Sequence, residues 1–219
     1  MPSRLRERFL RQGWLLLDPF LRDDEISELA REIDSVPRDS AEERGEPVVV
    51  RGVDRESDLL FDFARTPALL RAAENLLGKA VVPLYADLFV QPPWGSGVPP
   101  HQDQASYEAH FGDEAALSFW FAIDAAPSVS LEFSAEFVVA LAPHRPSLTK
   151  HFRHELILDS APAAFERVTL QRGGCLSYHS YAVHRIAPND TSHCRRALSL
   201  TYRGSPYRER LAAGHATNA

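Results

Sequence analysis

The chain has 219 residues, 44% of them hydrophobic, which is enough for one sizeable core, and its net charge of −6 argues against a nucleic-acid partner, which would need a basic excess. No stretch approaches eighteen uninterrupted apolar residues, and the N-terminal "MPSRLRERFLRQGW" lacks the apolar run of a signal peptide, so a cytoplasmic protein with no membrane association is expected. Cys175 and Cys194 are too few for a disulfide framework and are read as reduced thiols.

In chain order, "GWLLLDPF" reads as a short strand, and "RDDEISELAREIDSV" as an amphipathic helix with Ile26, Leu29, Ile33 and Val36 at helical spacing and acids in its first turn. Residues 37–58 are charged, hold Pro37, Gly45, Pro47 and Gly52, and are expected to be irregular. A second helix, "PALLRAAENLLG", starts on Pro67 and stops at Gly78. The period then changes to two residues. In "VVPLYADLFVQ" Leu84, Ala86, Leu88 and Val90 form an aliphatic face, while Tyr85, Asp87, Phe89 and Gln91 form a mixed one, as expected with a core on one side and a pocket on the other. Further strands are expected in "ALSFWFAID", "EFVVALA", "RHELILD", "RVTLQ", "CLSYHSY" and "RRALSLTYR". Helices followed by many short strands predict a single domain over 1–219, mostly helical to 78 and a β-sandwich or barrel from about 79 to 204.

The stretch "VPPHQDQASY" sets His101 and Asp103 two residues apart. If 98–104 is extended, both project from one face and Gln102 from the other. Alone, the pair is either the edge of a metal site or two polar residues on a strand. A third ligand is offered by His179 or His184 in "YHSYAVHRIAPND". Two histidines and one carboxylate leave three metal positions open, the arrangement of non-heme Fe(II) oxygenases. Arg195 opens a strand whose same-face residues are Ala197, Ser199 and Thr201, and a guanidinium beside small residues suits a carboxylate. Arg196 falls on the opposite face. The segment "HFRHE" (His151–Glu155) is not a zinc-hydrolase motif, because its surroundings alternate as a strand and not as the helix such motifs need. His110, His144, His193 and His215 are read as solvent-facing or loop residues.

Taken in order, "FLRQGWLLLDPFLRDDEISELAREID", "HQDQ", "ALSFWFAID" and "HRIAPNDTSHCRRALSLTYR" resemble the phytanoyl-CoA dioxygenase-like enzymes. The resemblance implies a double-stranded β-helix (jelly roll, cupin-like) with flanking helices, Fe(II), 2-oxoglutarate as cosubstrate and O2. It maps the iron ligands onto His101, Asp103 and His184, and the 2-oxoglutarate arginine, eleven positions after the distal histidine, onto Arg195. Trp120 lies where several members place a tryptophan beside the cosubstrate, and Asn189 where an asparagine is common. His179 then becomes a residue behind the ligands. The implied reaction is oxidation, chiefly hydroxylation, of a C–H bond, with succinate and carbon dioxide as co-products. Halogenases related to the family carry a small residue at the carboxylate position, where this chain keeps Asp103. The chain departs from the family in having no lysine between 80 and 149, Gly173-Gly174 in place of Gly-Asp, and "SVSLEFSAEFVVALAPHR" in place of a strand ending in Pro-Gly-Ser-His.

Substrate contacts are expected from Tyr85, Phe89, Gln91, Gln104 and Tyr107, and Tyr85, Phe89, Trp94, Tyr107 and Trp120 together suit a partly apolar small molecule such as a biosynthetic intermediate. The rival is a metal-binding jelly-roll or cupin protein without 2-oxoglutarate chemistry. The two differ at Arg195, since only an oxygenase needs the carboxylate clamp.

Overall fold

The computed structural model describes residues 4–17, 20–36, 45–124, 131–146 and 156–205. It opens with α1 (Arg4–Gln12), β1 (Trp14–Leu16), α2 (Asp23–Asp34), β2 (Val48–Arg51), a 3-10 turn (Val53–Arg55), α3 (Asp58–Ala64) and α4 (Pro67–Leu77). Then follow β3 (Val81–Gln91), β4 (Val98–His101), α5 (Asp103–Phe111), β5 (Ala116–Ala122), β6 (Leu131–Ser134), β7 (His144–Pro146) and β8 (Leu156–Leu158). The described chain ends with β9 (Phe165–Val168), β10 (Cys175–His179), β11 (His184–Ile186) and β12 (Arg195–Gly204).

Two of the helices form where the sequence predicts them. Glu25 reaches back to the Arg22 N–H at 2.9 Å and satisfies a donor at the start of α2, which buries Ile26, Leu29 and Ile33. α4 carries Pro67 in its first turn and ends on Gly78 at φ 76°, a left-handed cap that glycine adopts without a Cβ penalty. Its buried stripe is Leu69, Ala73 and Leu76; truncating a buried leucine of this kind costs about 2–5 kcal/mol.

From β3 onward the chain winds alternately between two antiparallel sheets. The larger has the order β1-β10-β5-β12-β3-β2 and the smaller β4-β11-β6-β9, with β7 and β8 as a separate ribbon. Strands that alternate between facing sheets in this way make a double-stranded β-helix, the fold that the sequence predicts. The large sheet has two working faces. Ala86, Leu88 and Val90 of β3, Leu117, Phe119 and Phe121 of β5, and Leu198, Leu200 and Tyr202 of β12 pack against the helices. On the other face Phe89, Trp120, Leu176, Tyr178 and Ala197 meet Val98, Leu131, Phe133 and Ile186 of the small sheet, and this layer encloses the cavity. Among the described residues, no helix is long and apolar enough to cross a membrane.

Several expected elements differ. Residues 136–142, read as a strand, form none: Gln102 captures the Ala140 carbonyl and the Ala142 N–H, and Val138 and Val139 are exposed. The neighbouring strand is β6, which finds partners in β11 and β9. The charged stretch before residue 58 is not irregular throughout, since Val48–Arg51 pairs with β3. "HFRHE" lies outside the described residues.

Candidate metal centre and its cavity

His101 ends β4 and His184 begins β11, and the two are cross-strand partners with ring centroids 4.3 Å apart. Asp103 starts α5 and sends Oδ1 to within 3.5 Å of His101 Nε2 and 3.6 Å of His184 Nε2. One ligand atom from each of the three lies within 4.8 Å of the others, the one set among the described residues that could hold a metal ion. The orientation of both rings is fixed from behind. His101 Nδ1 meets the Pro99 carbonyl at 2.8 Å and His184 Nδ1 the Ala182 carbonyl at 3.0 Å, each two residues back, which turns Nε2 inward.

The protonation states suit ligation. Burial, aided by His101, pushes His184 down to about 4, so its ring is neutral at pH 7. Burial pushes the Asp103 carboxyl up, but His184, His101 and Tyr107 outweigh it and hold the group below its ordinary range. The neutral His184 imidazole, the His101 ring and one carboxylate therefore converge, the donor set that suits Fe(II) with three positions open.

His101 and Asp103 do not meet by strand alternation, as the sequence reading supposed. β4 stops at His101, and Asp103 is the first residue of a helix. Gln102 still points away from the metal set. It is buried and donates to the carbonyls of Ala140 and Tyr181 while accepting from Ala142 N–H, pinning the turn to the loop that leads into His184.

On the cavity face, β12 presents Arg195, Ala197, Ser199 and Thr201 opposite Gln91, Phe89, Asp87 and Tyr85 of β3. At roughly 3.3 Å per residue, Arg195 and Thr201 stand about 20 Å apart along the strand, with Ser199 and Thr201 lining the cavity and Arg195 beyond its lining on the same face. Arg195 is buried, donates to Asp190 at 3.1 Å, and keeps its Nε–H without a partner. The buried Trp120 Nε1–H has none either, and its ring lies 5.3 Å from Phe89. Buried N–H groups left without acceptors are costly, and an oxygen-rich dianion supplies what they lack. These residues therefore fit 2-oxoglutarate. Arg196 lies on the other face, as predicted, bound to Asp124 and Asp34.

The cavity, about 110 Å³, brings Tyr85, Phe89, Tyr107 and Trp120 together with the metal set. It also takes in Arg51, Asp87 and Ser106, which were not among the predicted contacts, although Arg51 stands in register with Asp87 and marks itself in that way once β2 is recognised. Asp87 accepts from Gly52 N–H at 2.9 Å and Arg51 at 3.1 Å; burial nonetheless pushes its carboxyl up.

Four sequence expectations need correction. Gln104 is fully buried and donates to Gly112 and Glu114 carbonyls, so it supports the loop after α5 and not a substrate. Gln91, also fully buried, ties the Ser96 and Ala187 carbonyls together. His179 pairs with Leu117 on the helix side of the sheet and packs against Phe9, Phe137 and Tyr181, away from the ligands it was expected to support. Trp94 is 70% exposed and lies outside the cavity. Asn189 is buried and holds the loops before β4 and β12 through the Pro92 and His193 carbonyls. His144 is half-buried and His193 exposed.

A family model described as phytanoyl-CoA dioxygenase (PhyH) matches residues 9–130. Comparison with curated protein sequences gives no match. Among solved structures, the chain is similar to EvdO2 from Micromonospora carbonacea var. aurantiaca complexed with 2-oxoglutarate, at 23% identity and TM-score 0.74, covering 94% of this chain and 91% of that one. It is similar to the non-heme alpha ketoglutarate dependent epimerase SnoN from nogalamycin biosynthesis, at 20% identity and TM-score 0.71, covering 92% and 82%. It is also similar to EctD from S. alaskensis with 2-oxoglutarate and 5-hydroxyectoine, at 16% identity and TM-score 0.71, covering 93% and 76%. At these identities the likeness is one of fold.

Proposed function

Because the chain belongs to the phytanoyl-CoA dioxygenase family, whose members are Fe(II)- and 2-oxoglutarate-dependent oxygenases that use O2, we propose that His101, Asp103 and His184 hold the iron and Arg195 the cosubstrate. The reaction we assign is hydroxylation of a C–H bond in a small organic molecule, carried out in the cytoplasm by the whole chain acting as one catalytic domain. Iron, 2-oxoglutarate and dioxygen together supply the oxidising power, with succinate and carbon dioxide as co-products. The observation that carries the reading is a His-Asp-His set with ligand atoms within 4.8 Å of one another in a cavity that Trp120, Ser199 and Thr201 also line, with the buried Arg195 and its unsatisfied Nε–H on the same face of β12 as Ser199 and Thr201.

The residues divide the work by position. Arg195 and Trp120 offer N–H donors to the far carboxylate of 2-oxoglutarate, and the Phe89 and Trp120 rings keep water from that end. Pro99 and Ala182 carbonyls keep both imidazoles turned inward. The cavity receives the substrate beside Tyr85, Asp87, Ser106 and Arg51. That lining is more polar than the aromatic face alone suggested, so the substrate we favour has a polar or charged end, as many biosynthetic intermediates do. SnoN, a neighbour of the same fold, is an epimerase, so the product itself must be identified. Incubation with Fe(II), 2-oxoglutarate and a substrate panel should give oxygen-dependent succinate and a product heavier by one oxygen atom. An isomer of unchanged mass would overturn hydroxylation, and succinate formation that ignores oxygen would overturn the whole reading.

A further inference from the structure

Asp103 is the first residue of α5 and Tyr107 the fifth, so the two share a helix face one turn apart. The Tyr107 hydroxyl lies 3.4 Å from Asp103 Oδ2, while Oδ1 is the oxygen directed at both histidines. The two carboxylate oxygens thus have different neighbours. Behind Tyr107 stands Tyr85, its ring edge-on with centroids 6.1 Å apart. A phenol has one proton to give. The Asp103 carboxylate is the strongest acceptor within reach of Tyr107, so Tyr107 donates to Asp103.

We propose that Tyr107 is a positioning residue that occupies Asp103 Oδ2 and so reserves Oδ1 alone for the metal, with the Tyr85 ring packed edge-on behind it. The inference rests on the metal assignment made above. Its consequence is a count of positions. With iron bound, a carboxylate that held it through one oxygen would leave three positions open, and one that spread over two would leave fewer for the keto acid and dioxygen. Tyr107 therefore protects the position that dioxygen needs. It does not determine whether iron or 2-oxoglutarate binds.

The test uses the full chain, anaerobic, with Fe(II) and 2-oxoglutarate, and nitric oxide as the probe of the remaining position. Tyr107→Phe should keep its iron and its 2-oxoglutarate affinity, shift the visible band of the bound keto acid, and bind nitric oxide about tenfold more weakly, a typical loss when a residue supporting a metal ligand is removed. Tyr85→Phe, which keeps the edge-on ring against Tyr107, should leave these readouts near those of the unmodified protein. Tyr202→Phe serves as the structural control, because its hydroxyl donates to the Ala64 carbonyl at 2.6 Å on the helix side of the sheet. If Tyr107→Phe only lowers thermal stability as Tyr202→Phe does, with band and nitric oxide affinity unchanged, the inference is wrong. Loss of iron in Tyr107→Phe would also refute it. Failure of the unmodified protein to bind Fe(II) would refute the metal assignment itself.

Discussion

His101 and His184 are register partners across β4 and β11, so the two imidazoles are brought together by backbone pairing of strands that lie 83 residues apart in sequence. Each ring is then locked by the carbonyl two residues before it. His184→Ala should abolish stoichiometric Fe(II) binding, whereas His179→Ala, on the other face of the large sheet, should keep its iron. Metal analysis after gel filtration decides the matter; iron retained by the His184 variant and lost by the His179 variant would reverse the assignment.

Arg195 and Arg196 are adjacent and face opposite ways. Arg195→Ala should raise the Michaelis constant for 2-oxoglutarate by about 10- to 100-fold, the loss of a charge-assisted pair worth about 1.5–3 kcal/mol, with Fe(II) affinity kept. Arg196→Ala removes the tie from β12 to Asp124 and Asp34, so it should lower the melting temperature and leave that constant within about twofold. Steady-state kinetics showing equal effects would remove Arg195 from the site.

Burial pushes His179 down to about 4, and its position among Phe9, Phe137 and Tyr181 offers no compensating acid. Above pH 6.5 the ring is neutral in both folded and unfolded chains. Below it the unfolded chain takes up the proton and the folded one does not, so stability falls as pH drops from 6.5 to about 4, by about 3 kcal/mol in all. Urea unfolding of the metal-free protein across that range should show the slope, to which His184, also pushed down to about 4, adds its own share, and His179→Leu should reduce it by about half. A variant with the same slope as the parent would assign the effect elsewhere.

Much of this was legible in the sequence because it depends on period and capping. The alternating faces of β3 and β12, the Pro67 and Gly78 boundaries of α4 and the opposed directions of Arg195 and Arg196 all follow from local rules. What was not legible depends on partners. Phe137–Ala142 has strand-forming residues, yet no edge accepts it and Gln102 takes its backbone groups. α1 buries only Phe9 on an otherwise charged helix, which leaves a weak apolar stripe. α3 did carry a signal, Ser57 capping the Leu60 N–H at 3.2 Å, inside a stretch set aside for its charges. Gln91 and Gln104 sit where a substrate residue is plausible by pattern, and only the fold shows their amides spent on loop carbonyls.

Asp103 fills the carboxylate position, so oxygen-dependent succinate formation should be insensitive to added chloride and no chlorinated product should appear. Asp103→Ala should abolish turnover even where some metal is retained by the two histidines. Mass spectrometry of products with and without chloride checks the first statement, and chlorinated product from the unmodified protein would contradict it.

The central claim is that one cavity holds Fe(II) on His101, Asp103 and His184 and 2-oxoglutarate between that metal and Arg195. An anaerobic titration of the metal-free protein with Fe(II) and then 2-oxoglutarate tests it most directly. The account predicts a visible charge-transfer band that saturates at one equivalent of iron, needs both additions, and requires much more 2-oxoglutarate in Arg195→Ala. No band in the unmodified protein, or a band whose 2-oxoglutarate dependence is the same in the Arg195 variant, would contradict it.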